Sequence, residues 1–441
     1  MTSHALETRV TPPEPETRVV SHSLEPRGIR FQLGRLVDFI RGAGPEYPVV
    51  LALIALGVAA PILIRLSAAH AQSDIPVHAA LAAEMVRNGG WLSYTLWYPL
   101  IYFTSSGSSD PALLRELSVI FLLIAVMVRT VLVFYVSWAA TRSRAVSGII
   151  AMLMLVAMPL LNPARPEDIY LGQITPNVWH NSTQIFALPF SLAAFVAAAA
   201  LLRAQTMPRA LLFGGLVLAS TLAKPNYTIA LLPVVGLMLL WKMFRARTGL
   251  LRQLLLVAAG FVPTALLLVD QYFLVFGAAG VRKATMTFAP LAVWSFFSLN
   301  VPVSIALSIA GPLAVLLVLP RKLRSDPALQ LSWLVLVVSL LQLGLLAERF
   351  TDGTLSMEGN FFWGSYSAVF MVFVASAISL AKAYTAGPLS LGRRMAYLAA
   401  VVLLALHAGT GFYYLGRAGV SGFPVFSYQP ASSYQTVSPH K

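Results

Sequence analysis

Two stretches of this 441-residue chain concentrate side chains able to do chemistry. In "QSDIPVHAALAAEM" Asp74 stands one helical turn ahead of His78, on the same side of any helix that forms there. A carboxylate with an imidazole beside it is the equipment of a general base. Asp74 is equally placed to cap a helix whose first turn holds Pro76. The two roles are compatible, because a helix N-terminus holds a carboxylate in place. The second stretch, "NPARPED" followed by "YLGQITPNVWHNST", supplies Glu167, Asp168, Gln173, His180 and Asn181 between two apolar segments.

Three further loops add chemistry. "KPNY" contributes Lys224, a cation that either snorkels to the surface or receives an anion. "GVRKATMTF" contributes Arg282 and Lys283, suited to a phosphate or to plain solvation. "AERFTDGTLSMEGNFFWGSY" brings Glu358 and Asn360, with Glu348 and Asp352, up to Phe361, Phe362 and Trp363. Acids and amides beside flat rings are the side chains that hold sugar hydroxyls and ring faces.

The elements that position these loops follow from composition. The chain is 58% hydrophobic and 11% charged, with mean hydropathy +0.75, against about 25% charged for a soluble globule. Apolar runs of about 17 to 25 residues match the length needed to cross roughly 30 Å of hydrocarbon as a helix. The expected fold is all-α: a polytopic membrane protein with about eleven spans, near 48–68, 117–140, 145–161, 184–203, 209–223, 227–243, 252–276, 301–319, 329–347, 365–383 and 395–415. The first loop should hold a helix from Asp74 to the Gly89-Gly90 stop, with Ile75, Leu81 and Met85 toward lipid. The Trp- and Tyr-rich stretch after it should lie at headgroup depth. Residues 1–46 read as a disordered cytoplasmic tail, 47–416 as the membrane domain and 417–441 as a short tail.

Charge orients the bundle. Alternate loops, from Thr141, Arg203, Trp241, Arg321 and Lys382, hold fourteen Lys and Arg against the single acid Asp326. This predicts a cytoplasmic N-terminus and a periplasmic C-terminus. Of the eleven acids outside the tail, the ten other than Asp326 fall toward the opposite face, so the chemistry belongs there. The net charge of +14 is thus a topology signal and an attraction to anionic lipid, not a nucleic-acid face. Within the membrane Arg129 requires a partner; Asp270, or a lipid phosphate, are the two on offer. The absence of cysteine excludes disulfides and thiolate metal sites. The sequons at Asn181 and Asn226 abut membrane segments and are discounted. There is no Walker loop, dinucleotide fingerprint or zinc helix, nor a Gly-x-Ser-x-Gly elbow. An activated substrate used on the outer face therefore arrives through the membrane, as a lipid-linked donor.

The early carboxylate in "QSDIPVHAALAAEM", together with "YLGQITPNVWHNST" and "LAKPNYTIALLP", resembles the type-C glycosyltransferases, which use polyprenyl-phosphate-linked sugars. The resemblance covers the layout of residues 48–415. It implies that Asp74, aided by His78, deprotonates an acceptor hydroxyl. Lys224, Arg282 and Lys283 would receive the departing lipid phosphate, and His180, Asn181, Glu358 and Asn360 would hold sugar hydroxyls. It also implies an inverting transfer to a lipid-linked or glycan acceptor in a bacterial inner membrane. The chain departs from relatives with an acid pair in this loop: Ser73 precedes Asp74. No cofactor is implied, and one carboxylate is too few ligands for a divalent metal. Two competing functions remain: a lipid-linked polysaccharide polymerase or ligase, and a flippase or transporter, which would show broken helices at mid-membrane.

Overall fold

Uninterrupted apolar sequence can cross hydrocarbon only if every backbone polar group is satisfied internally, which selects helices. The computed structural model describes residues 38, 40–68, 73–88, 95–162, 172–246, 250–276, 284–385 and 390–421. The chain divides into two units, Met1–Pro45 and Glu46–Lys441. Most of the expected tail, residues 422–441, Glu167, Asp168, Arg282 and Lys283 lie outside the described residues.

The second unit is built from α1 (Glu46–Ala68), α2 (Asp74–Asn88), α3 (Trp97–Thr104), α4 (Pro111–Thr141), α5 (Arg144–Val156), α6 (Ser182–Arg203), α7 (Met207–Ala223), α8 (Asn226–Ala246) and α9 (Leu250–Phe276). After these come β1 (Ala284–Phe288), α10 (Ala292–Phe297), α11 (Val301–Val318), α12 (Arg321–Arg324), α13 (Pro327–Leu345), β2 (Leu346–Phe350), α14 (Phe362–Thr385) and α15 (Leu391–Ser421). Among the described residues nine helices are long and apolar enough to span a membrane, with α5 and α7 shorter. The protein is an all-α, multi-pass membrane protein. Among the described residues one small sheet pairs β1 and β2 antiparallel, Ala284 opposite Phe350 and Phe288 opposite Leu346.

The core forms around α14, the most enclosed span. Small side chains such as Ser365, Ser367, Ser376 and Ser379 let its neighbours close in from every side. Ser365 Oγ donates to the Ser339 carbonyl of α13 at 3.2 Å. At the basic end Asp326 caps α13 through the Ala328 amide at 2.8 Å. It also takes Arg203 of α6 at 2.9 Å and Lys382 of α14 at 3.4 Å. Burial pushes its carboxyl up, but the Ala328 amide and the two cations reverse this and leave it below the ordinary value.

The third apolar segment departs from expectation. Its helix stops at Val156, and the backbone runs extended through Met158. The cause is local: a residue before proline disfavours the helical region, and Met158 precedes Pro159. Extended backbone inside a bundle needs partners. The Met158 amide donates to the His407 carbonyl and the Leu160 amide to the Leu307 carbonyl, each at 3.0 Å. Gly311 N donates to His407 Nε2 at 3.2 Å, so the proton sits on Nδ1 and is donated to the Met158 carbonyl at 2.6 Å.

The loop that follows the break dives back into the bundle, and residues 172–181 are all buried. Asn177 Nδ2 donates to the carbonyls of Met154 at 3.0 Å and Ala157 at 2.8 Å, closing the open end of α5. The Ile174 amide donates to Ser308 Oγ at 2.8 Å. Arg129 does not pair with Asp270, which is exposed on α9. The buried guanidinium lies 6.0 Å from the Trp179 ring centre and 5.5 Å from that of Phe370.

The close passage of residues 156–157 across α15 is possible only at Gly411, where a Cβ would collide with the Val156 carbonyl oxygen. Alanine ordinarily favours a helix over glycine by about 1 kcal/mol. Gly411→Ala should nevertheless lower the thermal midpoint in detergent, whereas Gly409→Ala, facing open space, should hold or raise it.

Candidate functional site

The site is assembled where α2 starts. Ser73, not Asp74, caps that helix: its Oγ accepts from the Ile75 amide at 3.2 Å and donates to the His180 carbonyl at 3.2 Å. The Asp74 amide donates to the same carbonyl at 2.9 Å. With capping done by its neighbour, the Asp74 carboxylate turns away from its own helix. Oδ2 accepts from Asn181 Nδ2 at 2.6 Å and lies 3.9 Å from His180 Nε2. The Asp74 side chain is 39% exposed and that of His180 3%. The acid therefore has one oxygen gripped by the protein and an open side.

Asn181 joins this acid to a base. Its Oδ1 caps α6 by accepting from the Gln184 amide at 2.9 Å and accepts from Thr183 Oγ1 at 2.9 Å. Lys224 Nζ donates to the same Oδ1 at 3.1 Å and to Thr183 Oγ1 at 2.8 Å. The ammonium also lies 4.2 Å from the ring centre of Trp363, a cation–π contact. Lys224 is the residue after α7, delivered by the tight break to α8. Burial pulls its pKa down to about 7, although Asp74 acts to raise it. His180 is lowered by burial, against the pull of Asp74 and with Lys224 adding to the fall. Its ring tilts against Trp363 at 5.8 Å.

His78 hydrogen-bonds Tyr98 through Nδ1 at 2.7 Å. Burial lowers its pKa to about 4, Asp74 opposing and Lys224 and His180 adding to the drop. At neutral pH it is a neutral ring. Tyr98 and Trp97 are buried in the protein rather than presented on its surface, because α3 is stitched onto the end of α7. There the Leu96 amide donates to the Leu222 carbonyl at 2.7 Å, and Thr95 Oγ1 to the Ala223 carbonyl at 2.6 Å. Ile75 is likewise buried rather than turned to lipid.

The structure thus brings together Asp74, His180, Asn181 and Lys224, with His78 within electrostatic range. Glu358 and Asn360 form a neighbouring group. Asn360 Nδ2 donates to Glu348 Oε1 at 3.0 Å and to Glu358 Oε2 at 3.5 Å, and its carbonyl accepts from Asn226 Nδ2 at 2.9 Å. A small pocket opens there, lined by Glu348, Ser356, Asn360 and Phe361 among others, and does not include Asp74. Gln173 stands apart from both groups, donating to the Leu160 carbonyl at 3.1 Å. Among the described residues no three His, Asp or Glu side chains are grouped to hold a metal ion.

Sequence reasoning passed over Ser73, Thr183 and Tyr98. A Ser before an Asp-Ile-Pro helix start was a readable cap signal; nothing in sequence pointed to Tyr98. The sequon at Asn181 is closed to modification, since Asn181 is 4% exposed. No protein-family model matches this chain, and no curated protein matches its sequence.

Because one amide serves as helix cap, carboxylate clamp and ammonium acceptor, Asn181→Ala should cost about 1–2 kcal/mol. Thermal unfolding in detergent, beside the milder Thr183→Ala, measures it.

Proposed function

We propose that this protein is a membrane glycosyltransferase that moves a sugar from a polyprenyl-phosphate donor to an acceptor hydroxyl. The observation that carries the reading is the partly exposed Asp74 carboxylate, joined through one Asn181 amide to the partly buried Lys224 ammonium. A base open to solvent and a partly enclosed cation near it are the two charges such a transfer needs. The acceptor O–H gives its proton to Asp74 as its oxygen bonds to the anomeric carbon. The bond from that carbon to the phosphate oxygen breaks, and the electron pair leaves with the lipid phosphate, whose charge Lys224 neutralises. His180 lies 3.9 Å from Asp74 and its ring contacts Trp363, which in turn meets Lys224; the group around Asn360 is adjacent for sugar hydroxyls. The resemblance to type-C glycosyltransferases and the basic loops support a bacterial inner membrane, an inverting transfer at the periplasmic face and a role in envelope glycan or glycolipid synthesis.

A lipid-linked sugar flippase is the second reading, favoured by the break after Val156 and the loop that re-enters at 172–181. The freed backbone there is taken by Asn177, Ser308 and His407, which favours a fixed wall over a moving gate.

Purified protein given a panel of polyprenyl-phosphate sugars should release free polyprenyl phosphate. Asp74→Asn should abolish that release with expression and thermal midpoint retained; full activity in this variant would sink the assignment. The enclosed ammonium adds a pH signature. Lys224 loses its charge as pH rises through about 7, so kcat/KM should fall on the alkaline side of that value. Lys224→Arg, which stays charged, should move the fall to higher pH.

A further inference from the structure

From Ala284 to Pro320 the chain carries no charged residue. The first part of this run, β1 with α10, was expected to be part of an aqueous loop. Its surface says otherwise. Met286 is 46% exposed, Phe288 68%, Leu291 45% and Leu299 68%. The opposite face is fastened to the bundle: Val293 and Trp294 are buried, and Trp294 Nε1 donates to the Gly172 carbonyl at 3.3 Å. Gly172 itself passes so close that a Cβ would lie 2.6 Å from the Phe297 carbonyl oxygen. The amides of Ala289 and Leu291 donate to the carbonyls of Leu345 and Gly344, fixing the turn to the end of α13.

The paired strand has the opposite character. β2 and the turn after it carry Glu348, Arg349 and Asp352, with Arg349 and Asp352 exposed. The sheet is therefore divided edge to edge: β1 is uncharged, with Met286 and Phe288 exposed, and β2 carries the charges. The uncharged edge leads through α10 to α11, a helix long and apolar enough to span a membrane and capped by Asn300. We propose that β1 and α10 form a ledge whose exposed side chains dock into the lipid leaflet beside the candidate site, with β2 facing water. The occupant is lipid rather than protein because the uncharged surface is continuous with that of a span, Val303 being 39% exposed one turn further on. The edge of β1 that has no strand partner among the described residues places the ledge at the headgroup–acyl boundary, where water still reaches backbone groups, and not in the hydrocarbon centre. The ledge abuts the loop that delivers His180 and Asn181, so the site has a lipid side as well as an aqueous one. This inference does not depend on the proposed transfer reaction.

The natural absence of cysteine makes the test direct. Nitroxide-labelled Phe288→Cys, Met286→Cys, Asp352→Cys and, as a lipid-facing reference on α9, Leu266→Cys are placed in phosphatidylethanolamine–phosphatidylglycerol vesicles. At 286 and 288 collisions with oxygen should exceed those with a water-soluble nickel chelate, as at 266, and the order should reverse at 352. A nickel-dominated signal at both 286 and 288 would overturn the ledge. So would labels at 288 shielded from both reagents and close to their counterparts in a second copy, which would make β1 a strand-pairing interface. The two β1 variants guard against one failing to fold.

Discussion

Backbone hydrogen bonding in a low-dielectric interior is the constraint from which the site descends. Once Pro159 ends α5 early, the carbonyls at its end and the extended residues after it must find donors inside the bundle. Asn177, Gln173 and the His407 ring supply them, and to do so the loop at 172–181 has to enter the protein. Its exit then places the His180 carbonyl against Ser73 and the Asp74 amide. A polar loop in an apolar chain is thus mainly backbone repair along its first half and site along its last two residues. Arg129 fits the same logic: with the loop folded inward, Trp179 and Phe370 provide two ring faces for a buried guanidinium.

Electrostatics at the site run through a single amide whose orientation is not free. Asn181 must point its NH2 at Asp74 and its carbonyl oxygen at Lys224, Thr183 and the start of α6; flipped, it would set donor against donor and acceptor against acceptor. The carboxylate and the ammonium are therefore held apart but linked. A direct ion pair would have spent both charges on each other. Separation by one amide leaves each able to meet a substrate group, and enclosure is what lowers Lys224 toward neutrality.

Much of the architecture was legible in the sequence. Every expected span overlaps a helix, the third running on past the end of its helix at Val156, since apolar length is a strong signal, and the clustering of Asp74, His180, Asn181 and Lys224 follows the grouping of polar types in neighbouring loops. What could not be read is which polar residues are spent on backbone. Gln173 and His180 look alike on paper as ligands, yet one tethers the Leu160 carbonyl and the other faces Asp74. Trp97 and Tyr98 have the composition of a headgroup belt, but their backbone is stitched to α7 and their rings are buried. The break at Met158-Pro159 was readable and was overridden by hydropathy averaged across the window.

The two ends of the bundle show how one residue type acquires opposite roles. Asp326 accepts from a backbone amide and two basic side chains, on both oxygens, so its affinity for a proton falls and its carboxylate is saturated. It ties α6, α13 and α14 together and has nothing left to offer a substrate. Asp74 receives one side-chain amide, has an imidazole at 3.9 Å and keeps an open face. The capping duty that would have occupied it has passed to Ser73, one residue earlier. At position 73 a hydroxyl accepts from the Ile75 amide and donates to the His180 carbonyl, so it does structural work. The proposed base is therefore available because its neighbour does the capping.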